Sequence, residues 1–296
     1  MNSDTVEGRL LCACNVAYDI HESGPVRGRS WYVLGADFVE PAIARVGGKD
    51  QIDAALVCRS TDGVVLAFRG TLPGPTPESP RRILEDWLQN FDTCMVPFDG
   101  VGGAVHEGFL RGLESIWSEV YFLVTAGLRS MQTPRLLVTG HSKGGAMAHL
   151  AAARFSKSGV IASRDISVHA FGTPRLGDTE FVSAYRALVP VAYRFECQDE
   201  IAPYLPPSDD VYRLLKQVML ITDPSPPKNY ELVGELRFID WDDKVVADSG
   251  DLENERVRRL DILLRRHHFD KIRADHNIEC LSTYMKAIWP SRVCLG

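Results

Sequence analysis

The sequence predicts an α/β protein with a mostly parallel central sheet and helices on both faces. Three observations carry this. Short apolar runs of strand length alternate with amphipathic helical patterns between residues 54 and 197. A glycine-rich turn over residues 140–145 joins a compact strand to a helix of small residues. No linker rich in Gly, Ser or Pro divides the chain, so one domain is expected over residues 1–296.

The elements follow in order. An amphipathic first helix ends near Tyr18. Residues 54–59 and 63–69 are apolar runs split by Ser60, Thr61 and Asp62, which reads as a hairpin. Pro73, Pro75 and Pro77 make residues 72–79 a loop. Ser79 and Pro80 then resemble an N-cap and first helical position, and Ile83, Leu84, Trp87, Leu88 and Phe91 follow at helical spacing. Residues 107–131 give a longer helical pattern. Strands are predicted at 135–139, 166–171 and 191–197, and helices at 146–155 and 178–188. A hairpin over 230–246 precedes a charged helix near 253–266, a basic segment with Arg265, Arg266, Lys271 and Arg273 that reads as a solvated face, and a last helix near 277–289.

Composition narrows the function classes. Hydrophobic residues are 45% and charged residues 24%, ordinary globular values that argue against a disordered chain. No apolar run reaches 18 residues, so no membrane-spanning helix is expected. The net charge of −6 makes a poor platform for nucleic-acid phosphates. The N-terminal apolar run lacks a basic preceding region, so no signal peptide is expected. Seven scattered cysteines form no CxxC pair, which argues against zinc-ribbon and thioredoxin sites and for mostly reduced thiols. Together these readings predict a cytoplasmic location, with non-Sec export, which leaves no signal peptide, as the alternative. Asp240, Asp242, Asp243, Asp248 and Asp251 lack calcium-loop spacing and read as a solvated turn, and no phosphate loop is present. No metal and no cofactor is expected.

The sharpest chemical signal is Gly140-His141-Ser142-Lys143-Gly144. Between a strand and a helix, a G-x-S-x-G turn projects its serine hydroxyl outwards. A serine needs a base, and the base needs an orienting acid. In this elbow arrangement the chain order is serine, acid, histidine. Asp199 stands at the end of the 191–197 strand, where active-site groups collect in open α/β sheets, with Glu196 and Glu200 as its rivals. His149 and His169 precede any such acid, which leaves His267, His268 and His276 as bases. The Lys143 N–H, and Thr71 at the end of Phe68-Arg69-Gly70-Thr71, are candidate oxyanion donors.

Taken together, these segments resemble the class 3, or fungal-type, lipase family. The matching pieces are Phe68-Arg69-Gly70-Thr71, Asp86-Trp87, Val105-His106-Glu107-Gly108-Phe109, Gly140-His141-Ser142 and Phe171-Gly172-Thr173-Pro174-Arg175. They continue through Asp199-Glu200-Ile201-Ala202-Pro203, Pro206-Pro207 and Asp275-His276, in family order. The resemblance implies an α/β-hydrolase fold and hydrolysis of acylglycerols or related carboxylic esters. It implies Ser142 as nucleophile, Asp199 as acid, His276 as base and Thr71 as oxyanion threonine, with His106 and His141 as scaffolding. It also implies a short helical lid at about 72–91, whose apolar stripe of Ile83, Leu84, Trp87, Leu88 and Phe91 meets substrate or a lipid–water interface. Residues of about 208–265 form an insertion between acid and histidine. Lys143 and Asn90 depart from the residues that the family often has at those places. A short-chain or feruloyl-type esterase, and a non-catalytic binding protein of the same fold, are the alternative readings. Oligomeric state has no signature in the sequence.

Overall fold

The computed structural model describes residues 5–26, 30–72, 79, 81–82, 85, 94–218 and 229–290. Its strands are β1 Gly24–Pro25, β2 Ile43–Gly47, β3 Asp53–Ser60, β4 Gly63–Phe68, β5 Met95–Pro97, β6 Ala104–His106, β7 Leu136–His141, β8 Ile166–Phe171, β9 Val191–Cys197, β10 Glu235–Ile239 and β11 Val245–Ala247. Its helices are α1 Val6–Tyr18, α2 Ser30–Gly35, α3 Glu107–Glu114, α4 Trp117–Arg129, α5 Lys143–Ser158, α6 Thr179–Leu188, α7 Asp209–Gln217, α8 Leu252–Arg265, α9 Phe269–Asp275 and α10 Thr283–Ile288.

One sheet runs in the order β1-β2-β3-β4-β7-β8-β9-β10-β11, and β5 pairs with β6 separately. The central strands β4, β7, β8, β9 and β10 are parallel, while β1–β4 on one side and β10–β11 on the other are joined antiparallel. Strand period sends alternate side chains to opposite faces. In β4, Val64, Leu66 and Phe68 join one core while Val65 and Ala67 join the other. Helices α3, α4, α5 and α6 cover the first face, and α1 and α10 cover the second. The fold is therefore the mostly parallel sheet between helical layers that the sequence predicts.

The chain returns from β9 to its last histidine through a third, smaller core. Ile201, Tyr204, Leu205, Val211, Leu214 and Leu215 pack there with Leu260, Leu264, Phe269 and Ile272. This core seats α8 and α9 against the carboxyl end of β9.

Local structure departs from the sequence reading at two places. The helix expected over 107–131 is two helices, because the Ser115 hydroxyl bonds back to the Gly112 carbonyl (2.8 Å) and competes with helix continuation. The last helix begins later than expected, where Ser282 Oγ accepts the Met285 N–H (3.2 Å) as an N-cap. The charged α8 also carries a buried guanidinium, since Arg256 is 3% exposed.

Arg256 and Arg194 both bond the Glu196 carboxylate, which is buried on β9. Burial alone raises that carboxyl, but the two guanidiniums outweigh it and hold it below the ordinary carboxylate range. Removing one partner of a buried pair leaves a charge with too little compensation. Arg256→Met is expected to cost about 3 kcal/mol in urea unfolding, at the low end because Arg194 stays with Glu196. A loss under about 1 kcal/mol would show that the pair contributes little.

Candidate active site

Four parallel strands end together at one edge of the sheet. Register sets Phe68 opposite Gly140, His141 opposite Phe171, and Phe171 opposite Phe195. Open parallel sheets bind ligands at this carboxyl edge. Ser142 follows β7 there, in the strained conformation φ 56°, ψ −129°. Its backbone is held from both sides: the Ser142 N–H donates to the Phe171 carbonyl (2.9 Å), and the Ser142 carbonyl accepts the Gly145 N–H (2.9 Å). Such strain persists only where surroundings over-determine it. Gly144 allows the tight crossing, because a Cβ there would meet the Phe68 carbonyl oxygen at 2.4 Å. Ser142 itself is half-buried at the start of α5.

His276 caps α9 and is buried. Its ring lies 4.4 Å, centroid to centroid, from the ring of His141, the residue before Ser142. Its Nδ1 is 2.6 Å from Glu200 Oε2. Gly172 fits between them and the sheet: it has φ 53°, and a Cβ there would come within 2.8 Å of both groups. Glu200 is 0% exposed. Its Oε1 accepts the Cys197 N–H (2.6 Å) and the Tyr284 hydroxyl, whose oxygen also lies 2.9 Å from the Phe195 carbonyl oxygen. Burial and the Glu200 charge push the Tyr284 phenol well up, which keeps it a donor.

Asp199 is therefore not the carboxylate at the histidine. Its Oδ1 and Oδ2 accept two bonds from the Arg259 guanidinium (2.9 Å each), and Oδ1 also accepts Trp241 Nε1–H (3.1 Å). The turn after β9 decides this. Gln198 takes a left-handed φ of 42°, so Asp199 faces α8 and the β10–β11 hairpin while Glu200 faces the sheet edge. Glutamate also reaches one methylene farther than aspartate.

The remaining expected residues sit as follows. Thr71 follows β4 beside the elbow and is exposed. Lys143 opens α5, and its ammonium pairs with Asp53 Oδ1 (2.9 Å) and the Ile52 carbonyl (3.3 Å). His141 is fixed by the Tyr18 hydroxyl, 2.7 Å from its Nδ1. Burial, with His276 adding to it, pushes the His141 ring well below its usual range, so it stays neutral. His106 is buried and stacks on Phe109 at 4.2 Å. His149 is buried against Tyr185 and, by burial and then the Arg194 charge, is pushed down to about 3. His267 and His268 are exposed between α8 and α9. Ile83, Leu84, Trp87, Leu88 and Phe91 lie outside the described residues. Tyr18, Tyr284 and Arg259 were legible only as helix positions. Asp240 Oδ1 accepts the N–H groups of Asp242 and Lys244 (2.9 Å each), which makes Asp240, Asp242 and Asp243 part of the β10–β11 turn, with Asp248 and Asp251 beyond β11.

A strained serine elbow, a carboxylate–histidine pair and a parallel sheet edge are features of the α/β-hydrolase fold. The class 3 lipase family model matches residues 65–210, just under half of the chain, which hold Thr71, Ser142, Lys143 and Glu200, and over that segment the chain is similar to the class 3 lipase family. A lipase of Caenorhabditis elegans is 35% identical over 146 residues, covering 48% of this chain and 38% of the relative. The secreted mono- and diacylglycerol lipase 1 of Fusarium solani is 29% identical over 190 residues, covering 64% of this chain and 54% of the relative. This chain thus spans about half or less of the length of these relatives. The solved triacylglyceride lipase of Rhizomucor miehei superposes with a TM-score of 0.56 at 19% identity, over 79% of this chain and 78% of that one, a likeness of fold.

The expected cytoplasmic location does not stand. The Fusarium solani relative is a secreted lipase, which points outside the cell. Cys280 is disulfide-bonded, against the reading of a reducing compartment. Cys14, Cys58, Cys94 and Cys197 are free thiols. Burial pushes the Cys14 and Cys58 thiols up to about 12, which makes them poor nucleophiles. No helix among the described residues is long and apolar enough to cross a membrane.

Proposed function

We propose that this chain hydrolyses carboxylic esters of acylglycerols through Ser142, His276 and Glu200. The observation that carries the reading is the 2.6 Å contact between His276 Nδ1 and the fully buried Glu200 carboxylate, beside the elbow that holds Ser142. With its Nδ1 proton directed at Glu200, the neutral ring keeps Nε2 as its basic nitrogen. Ser142 Oγ attacks the ester carbonyl as Nε2 takes its proton. The Lys143 N–H and Thr71 donate to the developing oxyanion. The imidazolium, paired with Glu200, then protonates the leaving alcohol. Water repeats the sequence on the acyl-enzyme and releases the fatty acid.

The Lys143 ammonium is held by Asp53, so its part in this scheme is its main-chain N–H at the start of α5. Residues 72–91 keep the proposed role of a lid over the acyl group, and a lipid–water interface the role of its partner. No cofactor enters the scheme.

The test is hydrolysis of a p-nitrophenyl ester series from acetate to palmitate, with and without dispersed triolein, alongside fluorophosphonate labelling. Long-chain preference with release of oleate from triolein supports an acylglycerol lipase. Turnover confined to the shortest esters makes it a small-ester hydrolase. No turnover and no labelling turns the chain into a binding protein.

A further inference from the structure

Each member of the proposed acid–base pair follows an aspartate, and the two aspartates bracket the pair from outside. Asp275 Oδ2 accepts the Asp199 N–H (3.1 Å). That bond joins the turn ending in Glu200 to the turn ending in His276. Lys271, one helical turn before Asp275, donates to both Asp275 oxygens (2.6 and 2.5 Å) and to Gln198 Oε1 (2.8 Å). Gln198 Nε2 donates in turn to the Asp240 carbonyl (3.1 Å) and Asp243 Oδ1 (2.9 Å), and the Gln198 N–H to the Ile239 carbonyl (2.9 Å). The left-handed Gln198 and its two neighbours are thus tied on every side.

We propose that Asp275 is a positioning residue: its carboxylate, with Lys271, clamps the acid turn to the histidine turn and so sets the Glu200–His276 contact. The proposal rests on the reaction assigned to Ser142, His276 and Glu200 above. Asp275 touches no reacting atom; it acts through the Asp199 main chain on one side and its own neighbour His276 on the other. Displacement of such a pair by about 1 Å costs up to about a hundred-fold in rate.

The clamp is also sensitive to pH. The groups facing Asp275 are Lys271 from α9, and Asp199 and Gln198 from the acid turn, with the Cys197 thiol and Asp243 behind them and Arg259 of α8 beyond Asp199. Burial pushes the Asp275 carboxyl up to about 6, while Lys271 and the Asp199 N–H oppose the rise and the Asp199 charge adds to it. The carboxylate holds the clamp above that pH and is protonated below it. A folded-state value above the unfolded one means that its contribution to stability is greatest at low pH and is lost as pH rises through about 6. Positioning and stability therefore pull in opposite directions, and that separates a clamp from a structural brace.

The experiment compares wild type with Asp275→Asn, Lys271→Met and Lys271→Arg. Asp275→Asn is expected to lower kcat on a soluble ester about ten-fold to a hundred-fold at pH 8, with KM unchanged and Tm not reduced. Lys271→Met removes the main counter-charge, so the acid midpoint of kcat moves to higher pH, and Lys271→Arg restores it. The His276 Nδ1 proton, read far downfield by ¹H NMR, gives a measure that needs no turnover. In Asp275→Asn it is expected to exchange with water about ten-fold faster. Wild-type kcat with an unchanged Nδ1 proton overturns the clamp and leaves the hydrolase reading intact. A wild type without esterase activity overturns the hydrolase reading, and the Nδ1 proton alone then decides the clamp. Loss of Tm in step with loss of kcat makes Asp275 a structural brace and overturns the proposal.

Discussion

Ser142→Ala is expected to abolish ester turnover, with kcat falling by about 10⁶, because a triad acts as a unit. Nearby hydroxyls and thiols do not substitute. Burial holds the Cys14 thiol up near 12, and its Sγ is engaged by Thr139 Oγ1 at 3.2 Å. Thr71 is exposed, and its assigned place is on the oxyanion. Fluorophosphonate labelling should vanish with the mutation. The elbow adds a second expectation. A non-glycine residue at φ 56°, ψ −129° stores about 1–3 kcal/mol of strain. Ser142→Gly should be as inactive as Ser142→Ala yet unfold about 1 kcal/mol later in urea. Labelling that persists in either variant removes Ser142 from its role.

What the sequence disclosed and what it withheld divide along a physical line. The hairpin of β3 and β4, the strands β7, β8 and β9, and the elbow between β7 and α5 all sit in local patterns of alternation and glycine placement, and they stand where those patterns put them. Ser142 and the Thr71 segment were legible because a turn's geometry is written in the few residues that make it. The orientation of the acid turn is not local. Asp199 and Glu200 are adjacent, equally acidic, and both follow β9; which faces the histidine depends on Gln198 taking φ 42° and on Arg259, 60 residues later, accepting Asp199 as its partner. The partners of the α8 charges were not legible, because Arg256 and Arg259 find their carboxylates on other elements. Long-range ion pairs leave no periodic trace in the chain. The position of His276 was legible through Asp275, yet the reason that an aspartate stands there is a bond to the Asp199 main chain.

Glu200→Gln is expected to lower kcat by about 10³–10⁴, with Asp199→Asn staying within about ten-fold of wild type. The size of the first effect follows from the bonds that Glu200 already makes. Its Oε1 accepts from the Cys197 N–H, a main-chain donor that cannot reverse. A glutamine there must place its amide oxygen on that N–H, which turns its NH₂ towards His276 Nδ1. The imidazole then has to accept at Nδ1 and carry its proton on Nε2, the nitrogen that must take the serine proton. Loss of the charge that stabilises the imidazolium adds to this tautomer error. Glu200→Asp keeps the charge but falls about a methylene short, and an intermediate loss of about ten-fold to a hundred-fold is expected. Asp199→Asn loses half of the Arg259 bond but leaves its own N–H on Asp275 and the Glu200–His276 contact untouched. Its main cost should be a lower Tm. Soluble-ester kcat at pH 8 for the three variants, each with its Tm, decides the assignment: a dead Asp199→Asn beside an active Glu200→Gln would return the role of acid to Asp199.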